Sequence, residues 1–150
     1  MSPLDVEIIR RKLGVILENL KALEAIQGMK KEEYIRDIYR RKATERLLQE
    51  LIEAAIDINT HTIVESGHTA PDDYYQSFVL AGEIGILPPD LAKKLAPSAG
   101  LRNRLVHEYD GLDHEAILNA VGMALKFYPQ YVKAISNALS RQGEDFNRLK

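Results

Sequence analysis

Residues 45–63, ERLLQELIEAAIDINTHTI, decide the fold class. Leu47, Leu48, Leu51, Ile52, Ala55, Ile56 and Ile63 recur at helical spacing, which gathers them into one wide apolar stripe. The helical pattern extends from about Lys31 to Ser66 and stops before Gly67. Its upstream part, Arg36 to Arg46, is polar with only Ile38, Tyr39 and Ala43 for relief, which predicts a break or a loose first turn. A helix of ~25 residues or more exceeds the average length and suits the spine of a bundle.

Working outward, the N-terminal side carries a second amphipathic helix. Ser2 can cap it, Pro3 suits the first helical position, and Asp5 sits where a capping box places its carboxylate. Val6, Ile9, Leu13, Ile16, Leu20 and Leu23 then form an apolar seam that runs to a stop at Gly28. On the other side, Gly67 to Pro71 is a turn. Asp72 starts a short helix with Tyr75, Phe78 and Val79 inward, ending near Gly82 to Gly85. Pro88-Pro89-Asp90 restarts the helical pattern with Leu91, Leu95 and Ala99, and Pro97 predicts a kink or a split there. After the turn pair Asp110-Gly111, Asp113 opens a last helix with Ile117, Leu118, Val121, Leu125, Val132, Ile135 and Leu139 inward. Pro129 is expected to kink it, and the polar tail from Arg141 to fray. No alternating strand pattern occurs. The expectation is an all-α, up-and-down bundle of four to five helices in a single domain over residues 1–150, with its core at about 2–140.

Composition narrows the function classes. With 45% hydrophobic and 28% charged residues, the 150-residue chain has the balance of a globular protein. It has no cysteine, which excludes disulfides, thiolate catalysis and Cys-based zinc sites. The N-terminus is polar from Asp5 onward and no apolar run approaches ~20 residues, so neither a signal peptide nor a membrane span is expected, no membrane partner is implied, and a cytoplasmic location follows by default. A net charge of -2 argues against strong non-specific polyanion binding. The charge is nevertheless uneven. Residues 30–46 hold seven cations against four anions, whereas residues 50–73 hold six anions and no Lys or Arg. Such blocks are ordinarily solvated helix faces, and they also leave room for local nucleic-acid contact.

Chemistry-bearing side chains crowd into one place, Arg102-Asn103-Arg104-Leu105-Val106-His107-Glu108-Tyr109. At ~100° per residue, Asn103 and His107 share a helical face, while Arg102 lies about 140° from His107 and about 7.5 Å along the axis. One rigid helix therefore does not aim Arg102 and His107 at the same atom. They converge if the arginine reaches round, if the helix end tightens, or if a second copy faces the first. The pair suits phosphoryl transfer without a metal, because a guanidinium stabilises charge on phosphate oxygens and a histidine moves a proton near neutral pH. With the 2′-OH of RNA supplied by the substrate, those parts suffice for cleavage to a cyclic phosphate. The same residues also fit a structural role, with His107 at a helix C-terminus, Arg102 and Arg104 solvated, and Leu101, Leu105 and Val106 in the core.

The other histidines call for no metal or cofactor. Asp57 and His61 stand four apart, and Glu65 and His68 imitate the Glu-x-x-His of di-iron bundles, but Gly67 interrupts the only copy. His114 has no partner at ligand spacing except Asp110, across a turn.

The run Arg102 to Tyr109 resembles the Arg-x4-His-x-Tyr signature of HepT-like toxins in the HEPN superfamily. The resemblance extends over Glu45 to Gln49, Ala54 to Ile58, Gly85 to Ala92, Ala99 to Asn103 and the turn from Asp110 to Asp113. It implies a dimeric, metal-independent endoribonuclease, the toxin half of a type VII-like toxin–antitoxin pair. In that case Arg102 stabilises the transition-state phosphate, His107 serves as general acid or base, and Asn103 orients His107 or the phosphate. The implied partner is a minimal nucleotidyltransferase antitoxin that silences the toxin by attaching AMP to Tyr109. The competing class is a non-catalytic helical dimer that serves as binding partner or nucleotide-binding subunit of a nucleotidyltransferase. The acidic total charge favours that class mildly.

Overall fold

The computed structural model describes residues 2–108 and 111–149, apart from the side chains of Leu4 and of residues 142–149. All regular structure among the described residues is helical: α1 (Pro3–Leu23), α2 (Lys31–Arg36), α3 (Ile38–Glu65), α4 (Tyr74–Glu83), α5 (Pro89–Leu95), α6 (Ser98–His107) and α7 (His114–Leu149). The count exceeds the four to five expected because both anticipated weak points are complete breaks. At Asp37 the backbone is extended (φ -101°, ψ 91°), and its carboxylate caps α3 by accepting from the Arg40 N–H at 3.0 Å. At Pro97 the ring and missing N–H separate α5 from α6.

The α1 start matches its sequence. Ser2 Oγ accepts from the Asp5 N–H at 3.2 Å, while Asp5 Oδ2 accepts from the Ser2 N–H at 3.2 Å and from Ser2 Oγ at 2.7 Å. Those bonds from Ser2 hold the Asp5 carboxyl below its usual range. The helix ends at Leu23, earlier than Gly28, because the chain tightens into successive short turns such as Ile26 N–H to Leu23 O at 3.0 Å. Gly28 closes them at φ +81°, which a side chain would strain. α7 is continuous through Pro129 and through the tail past Arg141, where fraying was expected. Gly143, Asp145 and Asn147 are weak helix formers there, but each costs only about 1 kcal/mol or less and none is a proline that would break the helix.

α1 packs on α3 and α7, α3 also carries α4 and α6, and α5 joins α4 to α7. Ile16, Leu23, Leu51, Ile58, Phe78 and Tyr131 are fully buried between them. Burying each such side chain contributes roughly 1.5–3 kcal/mol. On α4 the inner face is Ser77, Phe78 and Ala81, and Tyr75, expected inward, is 51% exposed. Spacing from Phe78 had allowed either tyrosine, and Asp73 rather than Asp72 starts the helix by capping the Gln76 N–H at 2.7 Å. No helix among the described residues is long and apolar enough to cross a membrane.

One polar chain runs through this core. Tyr131 Oη of α7 shares its proton between Asn59 Oδ1 at 2.7 Å and the Ala55 carbonyl at 3.0 Å. Asn59 Nδ2 donates to Ser77 Oγ at 3.4 Å, and Ser77 Oγ donates to the Tyr74 carbonyl at 2.7 Å. The chain ties α7 through α3 to the first turn of α4. Tyr131→Phe leaves a buried amide oxygen unpaired and is expected to cost about 1–3 kcal/mol. Thermal unfolding should then show a Tm lower by roughly 2–4 °C per kcal/mol in a chain of this size. An unchanged Tm would contradict the role given to the network.

Candidate active site

α6 is placed by its apolar side and carries the reactive residues on two others. Ala99, Leu101 and Leu105 are buried, whereas Gly100, Asn103, Arg104 and His107 are exposed. Successive residues turn by ~100°, so Asn103, His107 and Arg104 fall within about 100° of one another on the solvent face. Arg102 emerges on the edge facing α3 and α4, with its side chain only 19% exposed.

There the guanidinium is held on three sides. Nε donates to Glu53 Oε1 of α3 at 3.1 Å. The planar group lies 4.9 Å from the ring centroid of Tyr74, which opens α4. Nη1 donates to Asn103 Oδ1 at 3.3 Å. Glu53 is itself steadied by Gln49 Nε2, which donates to the same oxygen at 2.9 Å. Asn103 therefore contacts Arg102 in this structure. Nη2 has no hydrogen-bond partner among the described residues and is left to receive an anion.

His107 occupies the last turn of α6, where the Glu108 N–H closes on the Arg104 carbonyl at 2.9 Å. It is exposed, and the helical repeat sets it about 140° round the axis from Arg102. Tyr109, the expected AMP acceptor, lies outside the described residues, as does Asp110. Glu53 and Tyr74 were not singled out from the sequence. Their link to Arg102 spans 49 residues in the case of Glu53, and no local spacing signals it.

The remaining histidines take other partners. His61 Nε2 lies 3.3 Å from Asp5 Oδ1, while Asp57 turns to Lys12 Nζ at 3.0 Å. Asp5, His61 and Glu65 place one potential ligand atom each within 4.8 Å of the others, a grouping across α1 and α3 that spacing alone did not reveal. His114 packs edge-on against Tyr34, with ring centroids 5.8 Å apart.

Residues 16–135 match the family model described as Ribonuclease HepT-like. The chain belongs to the HepT-like ribonuclease family. This HepT-like chain is 39% identical over 141 residues to the tRNA nuclease HepT of Aphanizomenon flos-aquae, covering 93% of this chain and 95% of that one. It is 26% identical over 129 residues to the mRNA nuclease HepT of Shewanella oneidensis, covering 86% and 96%. Its fold superposes at a TM-score of 0.78 on the tri-AMPylated HEPN toxin of Shewanella oneidensis solved in complex with an MNT antitoxin. That pair shares 25% identity, covering 91% of this chain and 99% of that one.

Within this HepT-like fold the Arg102–Glu53 pair is partly exposed, at 19% and 36%, so its worth to stability is small, roughly 0.2–1 kcal/mol. Its effect is to orient the guanidinium. A double-mutant cycle of Arg102→Gln and Glu53→Gln, read by denaturant unfolding, should give a coupling in that range. A coupling of several kcal/mol would make the pair a structural anchor instead.

Proposed function

We propose that this chain is the toxin of a toxin–antitoxin pair, an endoribonuclease that cleaves RNA without a metal ion. The observation that carries the proposal is the held guanidinium of Arg102, with Nη2 open and the ring of Tyr74 behind it. In this scheme Arg102 binds the scissile phosphate and stabilises the charge that gathers on its oxygens. The ribose 2′-oxygen attacks phosphorus and loses its proton to a base, while the departing 5′-oxygen receives one from an acid. The products are a 2′,3′-cyclic phosphate and a 5′-hydroxyl. His107 supplies one of those two proton transfers. Asn103 fixes the second nitrogen of Arg102 and so keeps the fork aimed.

Arg102 and His107 leave α6 in directions about 140° apart. We infer that the active form is a homodimer in which Arg102 of one copy meets His107 of the other at a shared phosphate. The antitoxin is a minimal nucleotidyltransferase that attaches AMP to Tyr109, two residues beyond His107. The added phosphate and base would occupy the ground where RNA must bind and would repel it. The complex of the Shewanella oneidensis toxin with its MNT antitoxin supports this assignment of partner. In this reading the pair works in the cytoplasm, where its RNA substrate is.

Purified protein is expected to cleave RNA in the presence of EDTA. Arg102→Ala and His107→Ala should each lower the rate by roughly 10²-fold or more while the circular dichroism spectrum stays unchanged. Tyr109→Phe should cleave normally and escape silencing by the antitoxin. Cleavage that survives both alanine substitutions, or a silenced Tyr109→Phe variant, would contradict the scheme.

A further inference from the structure

We propose that the groove bounded by α3, α5, α6 and α7 is a nucleotide subsite that receives one RNA base beside the cleaved phosphate, with an adjoining phosphate on Lys94 and Arg104. The proposal rests on the ribonuclease function above and names where its substrate continues.

The groove has a volume of about 230 Å³, and the residues that line it include both of those cations and no carboxylate. Neither Lys94 nor Arg104 forms an ion pair among the described residues. Lys94 Nζ lies 5.3 Å from the centroid of Phe127, so a cation stands over an aromatic wall. At the bottom, Tyr128 is only 2% exposed and its Oη makes no hydrogen bond. Ser98, on the same wall, influences that phenol without meeting hydrogen-bond geometry. Burial pushes the Tyr128 phenol well up, so the group stays neutral and offers both a donor and an acceptor. A buried hydroxyl with no partner is an incomplete arrangement, and a base edge would complete it once the side chains that cover it shift.

Size selects the occupant. Pockets for drug-sized ligands start at ~300 Å³, and a groove of about 230 Å³ suits one flat ring system. The apolar lining, with Pro97, Ala120 and Met123 at its more exposed positions, suits the face of a base, and the two cations suit its phosphate. The same cations disfavour a buried apolar side chain from a second copy, which would leave them without a partner.

Position links the groove to the proposed chemistry. Arg104 and His107 are three residues apart on α6 and therefore neighbours on its surface. A phosphate on Arg104 lies next to His107, which sits about 140° round the axis from Arg102. The strand would cross the end of α6, with one phosphate at the composite Arg102–His107 centre and the adjacent nucleotide in the groove.

Titrating the isotopically labelled protein with AMP, GMP, CMP or UMP tests this directly. Saturable shifts are expected at the amides of α6 and α7 that line the groove, and the matching nucleosides, lacking phosphate, should bind more weakly. Lys94→Glu combined with Arg104→Glu should weaken binding at least tenfold, and Ala116→Trp, which narrows the mouth, should do the same. Both should raise KM for an RNA substrate more than they lower kcat. Arg102→Ala should retain nucleotide binding in the groove, so loss of cleavage and loss of the subsite are read separately. Unaltered nucleotide affinity in the charge-reversed and Ala116→Trp variants would overturn the proposal. So would absence of nucleotide binding together with a change in molar mass of Ala116→Trp by light scattering, which would make the groove an interface between copies.

Discussion

Tyr131 reaches from the last helix into the middle of the bundle, and its hydroxyl meets Asn59 Oδ1 at 2.7 Å in surroundings without solvent. A buried polar group is costly unless paired, so this contact admits few alternative registers between α7 and α3. Asn59 passes the constraint to Ser77, and Ser77 passes it to the carbonyl of Tyr74. The apolar core supplies most of the stabilisation, but apolar contacts are non-directional. Here the polar chain selects which turn of α4 faces α3. The ring that backs Arg102 belongs to that turn.

The arrangement around Arg102 follows from this. Glu53 on α3 and Tyr74 on α4 form a recess between two helices, and α6 lays the arginine across it. Three side chains share the task, so the guanidinium is oriented without being fully neutralised. A single carboxylate takes one N–H, an amide oxygen takes another, and Nη2 has no partner among the described residues. A monomer assembled in this way presents a prepared anion site and, on another side of the same helix, an exposed histidine. In the proposed scheme a second copy brings the two to one phosphate, which makes oligomerisation part of that proposal.

The helices were legible in the sequence because their apolar spacing is local. The seam from Val6 to Leu23 and the stripe from Leu47 to Ile63 need only the helical repeat to be seen, and their apolar residues are buried except for the half-buried Val6 and Leu47. Breaks at Asp37 and Pro97 were legible as weak points, since polarity and a proline mark them, but not as complete separations. Tyr75 was placed inward because a short helix leaves its phase loosely set, and both it and Tyr74 are exposed. The stretch of α6 that the proposal uses stood out by its residue types, and the angle between Arg102 and His107 came from helical arithmetic. Glu53, Tyr74 and the pairing of His61 with Asp5 were not, because each joins elements far apart in the chain. Long-range contacts leave no periodic trace.

The central claim is that the reacting pair is assembled between two copies of the chain, and complementation measures this most directly. Arg102→Ala and His107→Ala chains, each inactive alone, are co-expressed with different affinity tags and the mixed dimer is isolated. It contains one intact Arg102 and one intact His107 on different copies. Recovery of RNA cleavage, to about half the wild-type rate per dimer because one of two composite sites is complete, is the predicted result. A mixed dimer as inactive as either parent would contradict the account, because it would mean that each site draws both residues from the same chain.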